Sequence, residues 1–220
     1  MGSWYDNKFV VAALLLIFYP VGLFALWKGK SFSMMTKKIL TVVFVIPIIA
    51  VFVTSSDIPA ADHAQPYTIV DRSDFSFISR DRYSISIVST QATNRLQFAH
   101  TAMKAAVDTQ KETGADVVSV WLEPSIECQG SGLQYAIVNY APDGKGLDGE
   151  SSWKWEVEAA EKQLPPGELA ISKLWWENRG DFQVDGLTDE HRLKAWIAQK
   201  LGIQESAVSL PFVSRKSVDI

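Results

Sequence analysis

Two charge-free apolar runs separated by a lysine-bearing turn constrain this chain more than any other feature. Phe9 to Trp27 is 19 residues without a charged side chain. A single helix of that length would cover roughly 28 Å, close to the hydrocarbon thickness of a bilayer. Lys28, Gly29, Lys30 and Ser31 end it, and a second apolar run follows from Ile39 to Val53. Thr54 and Ser55 can extend that run, because hydroxyls bond back to helix carbonyls. Pro20, Gly22 and Pro47 would be faults in a water-exposed helix and mark kinks in lipid. Residues 1–53 are therefore expected to form a transmembrane helical hairpin, with helices over about 9–27 and 39–55 and a basic loop over 28–38. Two buried core helices and a cleaved signal sequence are the competing readings.

Lysine asymmetry sets the expected orientation. Lys28, Lys30, Lys37 and Lys38 all lie in the 28–38 loop, which holds no acid, whereas Asp57 and Asp62 follow the second run. Basic loops stay on the cytoplasmic side. These four lysines are thus the expected topology determinants. The expected location is the inner membrane of a bacterium, crossed twice, with the C-terminal domain extracytoplasmic and the bilayer as a partner. Neither run carries an intramembrane charge, which argues against transport.

Tyr19-Pro20-Val21-Gly22-Leu23-Phe24-Ala25-Leu26-Trp27-Lys28 and Met35-Thr36-Lys37-Lys38 resemble a two-helix module at the start of many bacterial membrane proteins. That resemblance covers about residues 9–45. It implies an anchor and no activity.

Residues 54–66, TSSDIPAADHAQP, read as a linker, and residues 67–220 as one domain with a core of its own. Five lysines and one aspartate give residues 1–53 a charge of +4 against a chain total of −4, so residues 54–220 carry −8. An acidic domain is a poor partner for nucleic acid. The single cysteine, Cys128, excludes an intramolecular disulfide.

Apolar periodicity places strands over 67–70, 75–79, 83–89, 117–122, 133–140 and 153–159. It places helices over 94–113, 166–179 and from Thr188 to Gly202, with a last short strand or packed tail over 208–213. The expected domain is α+β, a mainly antiparallel sheet covered by helices. The stretches Thr113-Gly114-Ala115-Asp116-Val117-Val118-Ser119-Val120, Tyr140-Ala141-Pro142-Asp143-Gly144-Lys145-Gly146 and Leu174-Trp175-Trp176-Glu177-Asn178-Arg179 resemble an uncharacterised bacterial domain family over about residues 80–213. The resemblance implies no activity.

Site chemistry is sparse in the sequence. His63, His100 and His191 are not at metal-ligand spacing from one another or from Cys128. Gly130-Ser131-Gly132 lacks the spacing of a nucleophile turn. Asp143 to Gly149 fails as a calcium loop, because Lys145 and Leu147 occupy ligand positions. Glu156, Glu158 and Glu161 read as a strand's solvent side. No catalytic, metal or cofactor residue is assigned. Tryptophan and arginine are enriched at binding hot spots, so Trp175, Trp176 and Arg179 are the expected partner-binding residues. The functional reading is a non-catalytic protein-binding or structural domain on a membrane anchor, with an envelope protein or a second copy as its partner. A hydrolase with dispersed catalytic residues is the alternative, and a phage- or plasmid-linked envelope factor a further one.

Overall fold

The structure is a computed structural model that describes residues 4–17, 19–30, 32–41, 61–77 and 80–219. The chain divides into two compact units, residues 1–56 and 57–220.

In the first unit the run Phe9–Trp27 is not one helix. It forms α1, Lys8–Ile17, and α2, Tyr19–Lys28, of ten residues each. Pro20 explains the break. It has no N–H to give to a carbonyl four residues back, and its ring would clash there, but in the first turn of a new helix neither matters. The two helices pack on each other through Val11, Ala25 and Leu26, all fully buried. Each covers about 15 Å, half of a bilayer core. Among the described residues no helix is long and apolar enough to cross a membrane. The expected transmembrane hairpin is corrected accordingly, and with it the two-pass inner-membrane location and the extracytoplasmic placing of the domain. The second run lies outside the described residues from residue 42 onward; residues 34–41 are helical, α3.

The lysines of the turn have local roles. Lys37 donates its ammonium to the carbonyls of Trp27 (3.2 Å) and Gly29 (2.6 Å), capping the end of α2. The Lys28 ammonium lies 5.3 Å from the Tyr5 ring centre and 5.1 Å from that of Phe24. The Lys30 amide donates to Asp6 Oδ1 at 2.9 Å. At Gly29 a Cβ would fall 2.2 Å from the Tyr5 carbonyl oxygen, so only glycine fits there.

The second unit is built on a six-stranded sheet. Its elements are β1 (Thr68–Asp74), β2 (Arg82–Val88), α4 (Arg95–Thr113), β3 (Val117–Glu123), β4 (Ala136–Tyr140), β5 (Trp155–Ala160), α5 (Pro166–Asn178), β6 (Gln183–Val184), β7 (Leu187–Thr188), α6 (Glu190–Leu201) and β8 (Arg215–Ser217). The sheet order is β1-β2-β3-β4-β5-β8, and β6 and β7 form a separate hairpin. The sheet is mixed. β2 and β3 are parallel neighbours, joined by α4 as the crossover a parallel pair requires; the other pairs are antiparallel. The expected α+β fold is corrected to a mixed sheet, with one parallel pairing among four antiparallel ones, and to a first unit without a membrane-spanning helix among the described residues.

Alternation assigns the two faces. Ile85, Ile87, Val118, Val120, Leu122, Ala136, Val138, Tyr140, Val157 and Ala159 all point to α4 and form one core with Phe98, Ala102, Met103 and Ala106. The opposite face is polar. In register across it run Asp71, Ser86, Trp121, Ile137 and Glu158, and beside them Ser73, Ser84, Ser119, Asn139 and Glu156. The Ser119 and Asn139 side chains are hydrogen-bonded at 2.7 Å, and Asn139 donates to Glu156 at 2.8 Å.

A second, smaller core joins α5 to α6 through Ile171, Trp175, Leu193 and Ile197. Several expected boundaries move. Asn94 and Asp189 cap α4 and α6, so that these helices begin at Arg95 and Glu190. The 75–79 segment carries only a bridge between Phe77 and Arg80, with residues 78 and 79 outside the described set. Over 208–213 the chain is the packed tail and not a strand, with Val208 and Val213 buried, and the last strand is Arg215–Ser217.

Candidate binding site at the carboxyl end of the parallel strands

In open sheets with parallel strands, ligands seat outside the carboxyl ends of those strands. β2 ends at Val88 and β3 at Glu123, side by side. Beyond them lies a pocket of about 600 Å³, within the usual size of a small-molecule site. The start of β1 supplies Thr68 and Val70. The loop after β2 gives Ser89, Thr90 and Gln91, and the loop after β3 gives Pro124, Ser125, Ile126 and Glu127. Gln163, Leu169 and Lys173 close it from the segment that leads into α5 and from α5 itself.

Hydrogen bonds fix these walls. Ser89 Oγ donates to the Pro66 carbonyl at 2.7 Å and accepts from the Ala92 amide at 3.3 Å. Gln163 Nε2 donates to the Ala92 carbonyl at 2.7 Å. The Tyr135 hydroxyl accepts from the Leu164 amide at 2.9 Å, and its ring stacks on Phe98 at 4.8 Å. Tyr67 donates to Asp108 at 2.8 Å. Burial and that carboxylate push the Tyr67 phenol well up.

The charge in the pocket is one ion pair, Lys173 Nζ to Glu127 Oε2 at 3.4 Å. Burial works against the Glu127 charge. Its own backbone amide, the Ser125 hydroxyl and Lys173 outweigh that, and its carboxyl lies below the usual range. Cys128 is buried beside them, and burial pushes its thiol up, away from the reactive thiolate. The described residues that line the pocket include no histidine.

The three residues expected to meet a partner lie elsewhere, at the end of α5. Trp175 is 6% exposed and belongs to the second core. Trp176 is half-buried and touches both cores, with its indole N–H buried. The exposed Arg179 guanidinium stacks over Trp176 at 4.4 Å. The histidines do not gather at the pocket: the His63 and His100 rings lie tilted against each other, 5.4 Å between ring centres, and His191 lies 3.7 Å from Glu205. The sequence reading named no residue of the pocket.

The geometry is that of a mixed α+β domain with a pinned pocket at the end of its parallel strand pair. Residues 62–213 match the family described as Domain of unknown function (DUF4875), and the chain belongs to that family. The matched segment begins after the apolar runs, so the likeness to a two-helix membrane module gains no support from it. The chain is also similar to a solved structure described as a DUF487 family protein from Desulfovibrio piger ATCC 29098. That likeness is 35% identity over 71% of this chain and 96% of the other, with a TM-score of 0.60. No curated protein shows significant similarity to the chain.

Proposed function

We propose that this domain is a non-catalytic binding module whose ligand seats at the carboxyl ends of β2 and β3. The observation that carries this reading is the 600 Å³ pocket itself, at the position where the topology favours a ligand. Its walls are pinned before any ligand arrives, which lowers the ordering cost of binding. Val70, Val88, Ile126 and Leu169 offer apolar surface, and Thr90, Gln91 and the Glu127–Lys173 pair offer a few polar anchors. That mixture suits a short extended peptide with apolar side chains. The face formed by Trp176 and Arg179 is proposed as the second contact for a protein partner. Arg179 stacked on an indole is a rigid, amphipathic surface suited to that use.

The test is a thermal-shift and NMR screen of the 220-residue chain against blocked apolar tripeptides. Peptides that shift the Ser89, Gln91 and Glu127 amides without being cleaved support a binding module. Cleavage that is lost in Ser125→Ala, with the fold intact, replaces it with a hydrolase. A screen in which no peptide moves these amides overturns the reading.

A further inference from the structure

A second cavity, of about 210 Å³, opens on the polar face of the sheet. It stands on observations separate from the end-of-sheet pocket. Strand register sets three of its walls in a row: Asp71 on β1 pairs with Ser86 on β2, which pairs with Trp121 on β3. Glu123 lies two residues beyond Trp121 and so on the same face. Gly130 and Gln134 close the far side from the loop between β3 and β4.

Glu123 is 1% exposed. Its Oε1 accepts from Gln134 Nε2 at 3.1 Å, with the Gly130 amide at 3.5 Å. Its Oε2 is buried and has no hydrogen-bond partner. A buried carboxyl oxygen left without a partner is destabilising, and more so if it is charged. The adjacent cation does not fill it. Arg215 gives its Nη1 to the carbonyls of Gln134 (2.9 Å) and Gly132 (3.4 Å), and its Nε lies 3.9 Å from Glu158.

We propose that this cavity binds the ammonium or guanidinium end of an organic cation. The Glu123 carboxyl accepts a hydrogen bond from the bound group, Asp71 at the mouth supplies a second negative charge, and the Trp121 ring forms a cation–π wall. Among the described residues no group of three or more His, Cys, Asp or Glu is placed to hold a metal ion. Two carboxylates beside an indole are the donor set of an amine site. The charge of −8 on residues 54–220 favours cations in the same sense.

The experiment titrates the 15N-labelled 220-residue chain, following the Trp121 indole N–H and the Gly130 amide. The probes are n-butylammonium, spermidine, and blocked Ala-Lys-Ala and Ala-Arg-Ala, with n-pentanol and blocked Ala-norleucine-Ala as uncharged controls. The cations move both signals in a saturable way and the controls do not. Glu123→Gln keeps the shape of the side chain and weakens binding at least about tenfold, the scale of one charge-assisted hydrogen bond. Asp71→Asn on the rim weakens it less. Tighter binding of spermidine than of either tripeptide identifies a free polyamine as the ligand. The reverse order identifies a basic side chain of a partner segment. Equal responses to charged and uncharged probes, silence toward every cation, or undiminished binding in a folded Glu123→Gln overturns the proposal.

Discussion

Arg80 holds Asp143 with both arms of its guanidinium, Nη1 to Oδ2 at 3.0 Å and Nη2 to Oδ1 at 3.2 Å, and Nη2 also reaches the Asp116 carbonyl at 3.3 Å. Arg80 is 8% exposed and Asp143 36%. This one cation ties the 141–149 loop to the strand that opens the parallel pair. The guanidinium and the Lys145 amide bring the Asp143 carboxyl down to about 2. Its folded value lies below its unfolded one, so the stabilisation is present above the usual carboxylate range and is lost as pH falls through about 2. Asp143→Asn is expected to cost about 1 kcal/mol at neutral pH after allowance for solvent screening. The gap to the parent protein closes on acidification, read as denaturant midpoints across pH.

Glu123 has the opposite sign. Burial raises its carboxyl above the usual range, against the hydrogen bonds from Gln134 and Gly130 and the charge of Arg215. The folded state then holds its proton at pH values where the unfolded chain has released it. This contribution to stability is full below the unfolded value and is lost as pH rises through the folded one. Glu123→Gln is therefore expected to stabilise the domain at pH 7 by about 1 kcal/mol, with the advantage gone below about pH 4. Melting curves at the two pH values check it; destabilisation at neutral pH contradicts the assignment.

The pocket at the strand ends makes a steric prediction. Leu169 lies on the second turn of α5 and lines the pocket without belonging to either buried core. Leu169→Arg is expected to leave the melting temperature within about 2 °C and to abolish peptide-induced shifts at Ser89 and Gln91. Unchanged shifts in this variant would place the ligand elsewhere.

The sequence made the domain's helices and central strand legible, but not the parallel pairing. Leu96, Ala99, Met103 and Ala106 mark α4 by their spacing, though Leu96 proves 49% exposed, and Val117–Leu122 reads as a strand covered on both faces. The strand is buried on both faces, at Val117, Ser119 and Glu123 as well as at Val118, Val120 and Leu122, but only the latter face meets α4, and Ser119 and Trp121 lie on the polar side. A strand, a 19-residue helix and another strand in succession is the signal of a parallel crossover, and the pocket follows from it. The pocket residues carry no motif, because they come from segments about 100 residues apart that only the sheet order brings together. The sequence reading placed no hairpin between α5 and α6, although the signal is there: Asp185 and Gly186 have φ of 51° and 81°, the pair of positive values that an Asp-Gly turn supplies. The first apolar run misled through its length, since composition measures total hydrophobicity and Pro20 decides how it is divided.

The tryptophan pair separates packing from recognition. Trp175→Ala empties a site in the second core and is expected to cost about 3 kcal/mol. Trp176→Ala removes a half-buried ring and is expected to cost less than that. Arg179→Ala, at an exposed guanidinium, is expected to shift stability by under about 0.5 kcal/mol. If Trp176 and Arg179 form a partner face, Arg179→Ala loses co-purification of the partner while melting like the parent. Retention of every associated protein by Arg179→Ala would leave the pair a packing feature.

Acid should loosen the segment before β1. His63, on a short helical turn at 61–63, lies against His100 on α4 with the rings tilted, and the Gln65 amide donates to Thr101 Oγ1 at 2.9 Å. His100 is 8% exposed and its Nδ1 is buried with no hydrogen-bond partner. Burial, and then the neighbouring His63, lower its readiness to take a proton, and Asp62 works weakly the other way. A histidine whose folded value is depressed stabilises the fold above its unfolded value, and that stability falls as pH drops through the range near 6.5. Residues 61–66 form a short helical turn and loop outside the sheet, so their local release costs less than global unfolding. Hydrogen exchange at the Gln65 amide is expected to accelerate between pH 7 and 5 beyond the intrinsic pH trend. His100→Gln should remove most of that excess while the β3 amides stay protected. An exchange rate at Gln65 that follows only the intrinsic trend would mean that the His63–His100 contact does not hold the segment down.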